Sequence, residues 1–370
     1  MGKNTSPSFL FRPHLRLLSF YEQEWRSVDT GRPYLLKKSR QSIKGQPLIN
    51  YIIISTVFTL LFSSAAIAKL TQEQQTAKER GIALYKQSDW YDSQPLLQTA
   101  AEAGDRQAQY YLGEAIRLSK RYTTAEAKKW YEAAAEQGDL YSMLRLSSKD
   151  DLCKYMGTCN ERSGAEWRQQ ALKVARERAK KGDAEAMTVL YSARQGLGWL
   201  EKAADAGDSY AQNFLAKVYR DGGGWFLIPG NREKAVERWF KASAEGGNPE
   251  AMFSYANLLY ENNGDMKEVA HWLRRSAEGG YIAGVSNYAI RLAHLPDELG
   301  YPLDLVKAYG LTYLLSKLEG GGTATENGQR NLLKIAEKMN EQEIQEGIAF
   351  AKEWEKTHPP LSYFDPIYGY

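Results

Sequence analysis

Trp239-Phe-Lys-Ala-Ser-Ala-Glu-Gly-Gly-Asn-Pro-Glu-Ala-Met252 is the stretch whose reading decides the fold. An aromatic anchor and small residues at helical spacing run into Gly246 and Gly247, which stop the helix; Asn248 and Pro249 then start another. Glycine closes a helix in the left-handed backbone conformation at little steric cost. The same grammar, a large apolar residue, small residues, glycine, an Asp or Asn, then alanine, returns six times between Leu96 and Val285.

The copies align on Gly104, Gly138, Gly182, Gly207, Gly247 and Gly280. Eight residues before each stand Leu96, Trp130, Val174, Trp199, Trp239 and Trp272; four after stand Ala108, Ser142, Ala186, Ala211, Ala251 and Gly284. A residue eight before the glycine lies about two turns back, on the face that packs the neighbouring unit, so these large residues read as core. A small residue four past it lets the second helix approach the first. The intervals are 34, 44, 25, 40 and 33 residues, scattered about the length of helix-turn-helix repeats.

Trp130-Tyr-Glu-Ala-Ala-Ala-Glu-Gln-Gly-Asp139, Trp199-Leu-Glu-Lys-Ala-Ala-Asp-Ala-Gly-Asp208, Trp239 to Asn248 and Trp272-Leu-Arg-Arg-Ser-Ala-Glu-Gly-Gly280 carry a resemblance to the Sel-one-like repeats, relatives of tetratricopeptide repeats. The resemblance covers roughly residues 77–355. It implies an all-α fold, a right-handed superhelical solenoid of helix-turn-helix repeats. It also implies a protein-protein interaction role, since members of the family act as adaptors, and some periplasmic ones are immunity proteins that neutralise antibacterial toxins such as secreted phospholipases.

The irregular intervals are where function is expected to be added to this scaffold. The 44-residue interval holds Cys153 and Cys159, the 25-residue one is shortened near Arg194–Gly198, and the 40-residue one contains Asp221-Gly-Gly-Gly-Trp-Phe-Leu-Ile-Pro-Gly-Asn231. Past residue 281 the pattern loosens. Residues 331–356 read as capping helices over the end of a 69–330 solenoid, and 357–370 as a non-helical aromatic tail.

Tyr51 to Ala68 is an apolar run preceded by basic residues and ending in Ala66-Ile67-Ala68, so 50–68 reads as a signal peptide in preference to a retained anchor. No cysteine lies near the cleavage point, which excludes a lipoprotein anchor. The expectation is a periplasmic or secreted protein without stable membrane insertion after cleavage. Residues 1–49 form an amino-terminal extension too long for an ordinary leader, and translation from a non-methionine codon near Leu36 is the preferred account. Of 48 basic and 45 acidic residues, removal of 1–68 leaves 39 and 42, a net charge of −3, so the basic balance expected of a nucleic-acid binder disappears. In an oxidising compartment Cys153 and Cys159 read as a structural disulfide closing a small loop, with free thiols as the alternative.

Catalytic constellations are missing from the sequence. His271, His294 and His358 are scattered, and there is no nucleophile elbow or His-Glu-x-x-His pattern. Gly222-Gly223-Gly224 runs into Trp225 where a phosphate loop needs Lys and Ser or Thr. The carboxylates after the repeat glycines are explained by helix capping. The chain therefore reads as a non-enzyme with no cofactor and no metal site. Its candidate partner-binding residues are Trp225, Phe226, Leu227 and Ile228 in the inserted loop and Tyr363 and Phe364 in the tail. A loop folded over its own repeat is the other reading of the first four. The expected partner is another protein, a toxic effector in the immunity reading; the alternative is an envelope scaffold for polysaccharide secretion or cell-wall assembly.

Overall fold

The computed structural model describes residues 69–148, 162–295, 299–320 and 322–364. The 1–49 extension, the whole 50–68 segment read as a signal peptide, Cys153 and Cys159 lie outside them. Among the described residues there are sixteen helices: α1 (Gln72–Lys86), α2 (Ser93–Glu102), α3 (Arg106–Lys120), α4 (Ala125–Glu136), α5 (Leu140–Leu146), α6 (Gly164–Ala179), α7 (Ala184–Ser192), α8 (Gly198–Asp205), α9 (Ser209–Arg220), α10 (Asn231–Glu245), α11 (Pro249–Glu261), α12 (Met266–Glu278), α13 (Ile282–Leu292), α14 (Leu305–Ser316), α15 (Thr323–Ala336) and α16 (Glu341–Thr357). No β-strand is formed among these residues; Tyr281 and Ser362 make an isolated parallel bridge. Helices up to α15 pack on their sequence neighbours, and α16 lies against α14, so the chain is an all-α solenoid of helix pairs with a closing helix. Where capping helices are expected over residues 331–356, the chain forms the end of α15, which spans Thr323–Ala336, and α16, which spans Glu341–Thr357.

Each repeat is made by one local device. The six glycines have φ between +81° and +90°, the left-handed conformation expected of them. The next residue caps the following helix: the side chains of Asp105, Asp139, Asp183, Asp208 and Asn248 accept from the backbone N–H groups of Ala108, Ser142, Ala186, Ala211 and Ala251 at 2.6–3.0 Å. The same five small residues are fully buried. At the sixth copy even alanine is too large, because a Cβ on Gly284 would lie 2.9 Å from the Ser276 Cβ.

The core register differs by one residue from the sequence reading. Fully or nearly fully buried are Leu97, Tyr131, Ala175, Leu200, Phe240 and Leu273, seven before each glycine. Of the larger residues eight before, Trp130 and Trp239 are buried but Trp199 and Trp272 are only half-buried. Three of these indoles carry a cation on the ring, Lys129 at 4.9 Å, Lys202 at 4.6 Å and Arg238 at 4.4 Å. An indole fills the edge of the interface and leaves one face for a hydrated charge.

Polar bonds also recur between helices. Ser243 Oγ donates to the Ser209 carbonyl at 2.6 Å and Ser276 Oγ to the Pro249 carbonyl at 2.7 Å, each reaching back one unit. In the first two units a buried ionic clasp dominates. Glu114, 1% exposed, accepts from Tyr131 Oη at 2.6 Å, from Arg145 at 2.6 and 2.9 Å, and from Arg117 at 2.8 Å, tying α3, α4 and α5 together. Burial alone would push its carboxyl up. The Arg145 and Arg117 charges and hydrogen bonds outweigh that and hold it below the ordinary glutamate value.

The solenoid closes on itself. After α16 the tail passes over α13 and reaches α1, where Tyr363 N donates to the Lys86 carbonyl at 3.1 Å and Gln87 Nε2 to the Leu361 carbonyl at 3.0 Å. A cavity of about 460 Å³ remains between α1 and the carboxy-terminal helices, lined by Arg80, Leu84, Leu314 and Trp354 among others.

Replacing Glu114 with Gln leaves Arg145 and Arg117 without their counter-charge and is expected to cost about 3 to 5 kcal/mol in urea unfolding at neutral pH. Because the folded-state pKa is depressed, the clasp's contribution is complete above the ordinary glutamate pKa and is lost as pH falls through the lower folded value. The stability gap between wild type and Glu114→Gln should therefore narrow below about pH 4.

Candidate protein-binding site

The inserted loop, residues 221–230, joins α9 to α10, and its four apolar residues divide. Phe226 turns inward, edge-on to the Tyr219 ring with centroids 5.0 Å apart. Trp225, Leu227 and Ile228 face solvent, at 84%, 75% and 62% exposure. Isolated exposed hydrophobics are common, whereas three within four consecutive residues make a concentrated apolar surface.

Arg232, in the first turn of α10, holds the loop in place. Its guanidinium donates to the Tyr219 carbonyl at 2.8 Å, to the Gly223 carbonyl, and to the Gly224 carbonyl at 3.3 Å, and it lies 4.8 Å from the Phe226 ring centroid. Tyr219 Oη donates to Glu201 at 2.7 Å, fixing α9 to α8 beneath the loop. Burial and the Glu201 carboxylate push the Tyr219 phenol well above its ordinary value, so it remains a donor at neutral pH. Neither Arg232 nor Tyr219 was among the expected site residues. The available signal was a cation placed directly after a glycine-rich aromatic loop.

The second candidate segment is engaged within the molecule. Tyr281 stands where the other units carry Asp or Asn, and it makes no side-chain cap. The tail pairs with this helix end: the Ile282 N–H donates to the Ser362 carbonyl at 3.1 Å, and Ser362 N donates to the Gly280 carbonyl at 2.9 Å. Phe364 packs edge-on to Tyr281 at 6.2 Å with the Lys86 ammonium 5.7 Å from its centroid, and Tyr363 packs on the apolar core of the carboxy-terminal helices. Tyr363 and Phe364 are half-buried here, away from the fully exposed condition of Trp225.

His294 and His358 are tied into the framework, and His271 is exposed on α12. His271 meets the Trp272 edge at 5.1 Å, His294 Nε2 is 3.0 Å from the Tyr301 carbonyl, and His358 stacks on Trp354 at 3.5 Å and 3°. No helix among the described residues is long and apolar enough to cross a membrane.

The fold and the exposed loop define a helical-repeat protein with an apolar presentation surface. No family model matches the chain, and no curated protein does. Among solved structures it is similar to a protective antigen present in uropathogenic Escherichia coli strains, described as displaying an SLR fold. That match has 20% identity and a TM-score of 0.44, and it covers 78% of this chain and 62% of the other, so the chain spans less than two thirds of that protein's length. It is also similar to a Sel1 repeat protein from Oxalobacter formigenes, with 21% identity, a TM-score of 0.33, and coverage of 74% of this chain and 99% of the other.

Arg232→Met keeps the aliphatic stem but removes every bond to the loop carbonyls. Loss of such charge-assisted bonds weakens the local structure by about 1.5 to 3 kcal/mol, so chymotrypsin cleavage at Trp225 or Leu227 should accelerate roughly tenfold or more. Far-ultraviolet circular dichroism should remain that of the wild type.

Proposed function

We propose that this solenoid is a protein-binding module whose contact surface is the loop carrying Trp225, Leu227 and Ile228. The observation behind the reading is the pairing of exposure with anchorage: three apolar side chains stand in solvent on a loop fastened to two helices through Arg232 and Phe226. Aromatic and aliphatic anchors of this kind dominate interface energies when a partner desolvates them. The finer reading is that the exported protein binds and neutralises an antibacterial effector, such as a secreted phospholipase. Its support is the leader-like 50–68 segment, the repeat resemblance, and a loop that departs from the repeat pattern.

Deleting the loop is a poor probe, because it also removes Phe226 from its place on Tyr219. Substituting the outward side chains is cleaner. Immobilised protein comprising residues 69–370 is used to capture partners from envelope extract, and the captured protein is then titrated against wild type and Trp225→Ala. The expected loss is about 2 kcal/mol, roughly thirtyfold in affinity, with the melting temperature unchanged. Equal affinity of the two proteins sinks the loop assignment. In cells, co-expression should protect against a phospholipase effector recovered in that capture and directed to the periplasm; loss of viability despite co-expression would reject the immunity reading while leaving the binding module intact.

A further inference from the structure

We infer that Asp89, Asp92 and Glu319 form a calcium-binding site that ties the first helix pair of the solenoid to the last. Asp89 and Asp92 lie between α1 and α2, and Glu319 lies between α14 and α15, so only closure of the solenoid brings them together. One carboxylate oxygen from each falls within 4.8 Å of the others. The sequence reading expected no metal site, because a pair of aspartates three residues apart and a glutamate far along the chain carry no spacing signature.

Two further observations separate this cluster from an ordinary acidic patch. Asp89 is 9% exposed; its Oδ1 accepts from Asp92 N at 3.2 Å, but its Oδ2 is buried with no hydrogen-bond partner. A buried, unanswered carboxylate oxygen is costly unless a cation meets it. Asp92 occupies the N-cap position of α2 yet makes no capping bond, unlike the five caps of the repeats, so its carboxylate is not committed to the helix. No Lys or Arg pairs with any of the three among the described residues. The carboxylates are also held together from behind: a Cβ on Gly320 would lie 2.7 Å from the Asp89 Cα, so the two turns are in backbone contact.

Three carboxylate oxygens and no nitrogen or sulfur suit a hard cation. Oxygens bound to calcium at about 2.3 to 2.6 Å can lie up to roughly 5 Å apart across the ion, whereas magnesium at about 2.0 to 2.1 Å draws them within roughly 4 Å. The three oxygens all lie within 4.8 Å of one another, which either ion allows; three carboxylates suit calcium, which takes many oxygen ligands in a flexible geometry, better than magnesium, which is usually held through one or two. Asp92 and Glu319 are exposed, so water completes the coordination and the affinity falls in the weak class, about 0.1 to 1 mM.

The test uses the chain from residue 69 to 370, with calcium chloride alone as the probe, followed by calorimetric titration and thermal unfolding. One ion should bind per chain, and millimolar calcium should raise the melting temperature by a few degrees over chelator. The Asp92→Asn/Glu319→Gln double variant should lose both effects and, in chelator, melt no lower than wild type, since repulsion is removed. Glu319→Gln alone, at an exposed position, serves as the second variant and should weaken binding at least tenfold. No binding heat and no shift in wild type would overturn the site, as would an equal shift in the variants. Equal response to magnesium chloride would overturn the calcium assignment.

Discussion

The left-handed backbone at one glycine per unit is the constraint from which the rest of this structure follows. Holding φ near +85° at six positions turns the chain by the same amount each time, and the Asp or Asn cap immediately after it fixes where the next helix begins. With turn and start both fixed, the residue four after the glycine comes close against the preceding helix, as Gly284 does against Ser276, and must be small. Between units the chain is under no such constraint, which is why the 25-residue and 40-residue intervals coexist in one stack.

Where the side-chain cap is missing, a distant segment docks. Tyr281 makes no side-chain cap on α13, and the tail docks at that helix end instead, the Ser362 carbonyl accepting from a different first-turn amide, Ile282 N. That docking fastens the tail to the solenoid, and the tail in turn reaches Lys86 and Gln87 on α1. A solenoid ordinarily leaves two exposed ends that capping segments must cover. Here each end helps to cover the other, and the closure runs through the one repeat that lacks its Asp or Asn cap.

How much of this was legible in the sequence follows from the range of each interaction. Glycine, cap and small residue sit within five positions of each other, and their pattern gave the helix boundaries and the repeat fold directly. The core register was displaced by one because tryptophan is the larger residue, and size alone suggested burial; Phe240 and Leu200 take the interior, while Trp199 stays half out beneath Lys202. The inserted loop was recognisable as an addition, but only the structure divides Phe226 from Trp225. The contact of residues 88 and 89 with Gly320 had no signal, because nothing local records which turns meet after a full superhelical circuit. Tyr363 and Phe364 looked like free aromatics for the same reason.

The division of the loop bears on how it would recognise anything. An apolar loop without support loses conformational freedom when it docks, and that loss subtracts from affinity. In this chain the ordering is done beforehand, by bonds from Arg232 to carbonyls at the end of α9 and by Phe226 on Tyr219. The anchoring atoms are polar or inward-facing, so none of the exposed apolar surface is consumed in holding the loop. Trp225, Leu227 and Ile228 therefore keep nearly their whole burial energy for a partner, while the repeat beneath them is stabilised by residues that a partner need not touch.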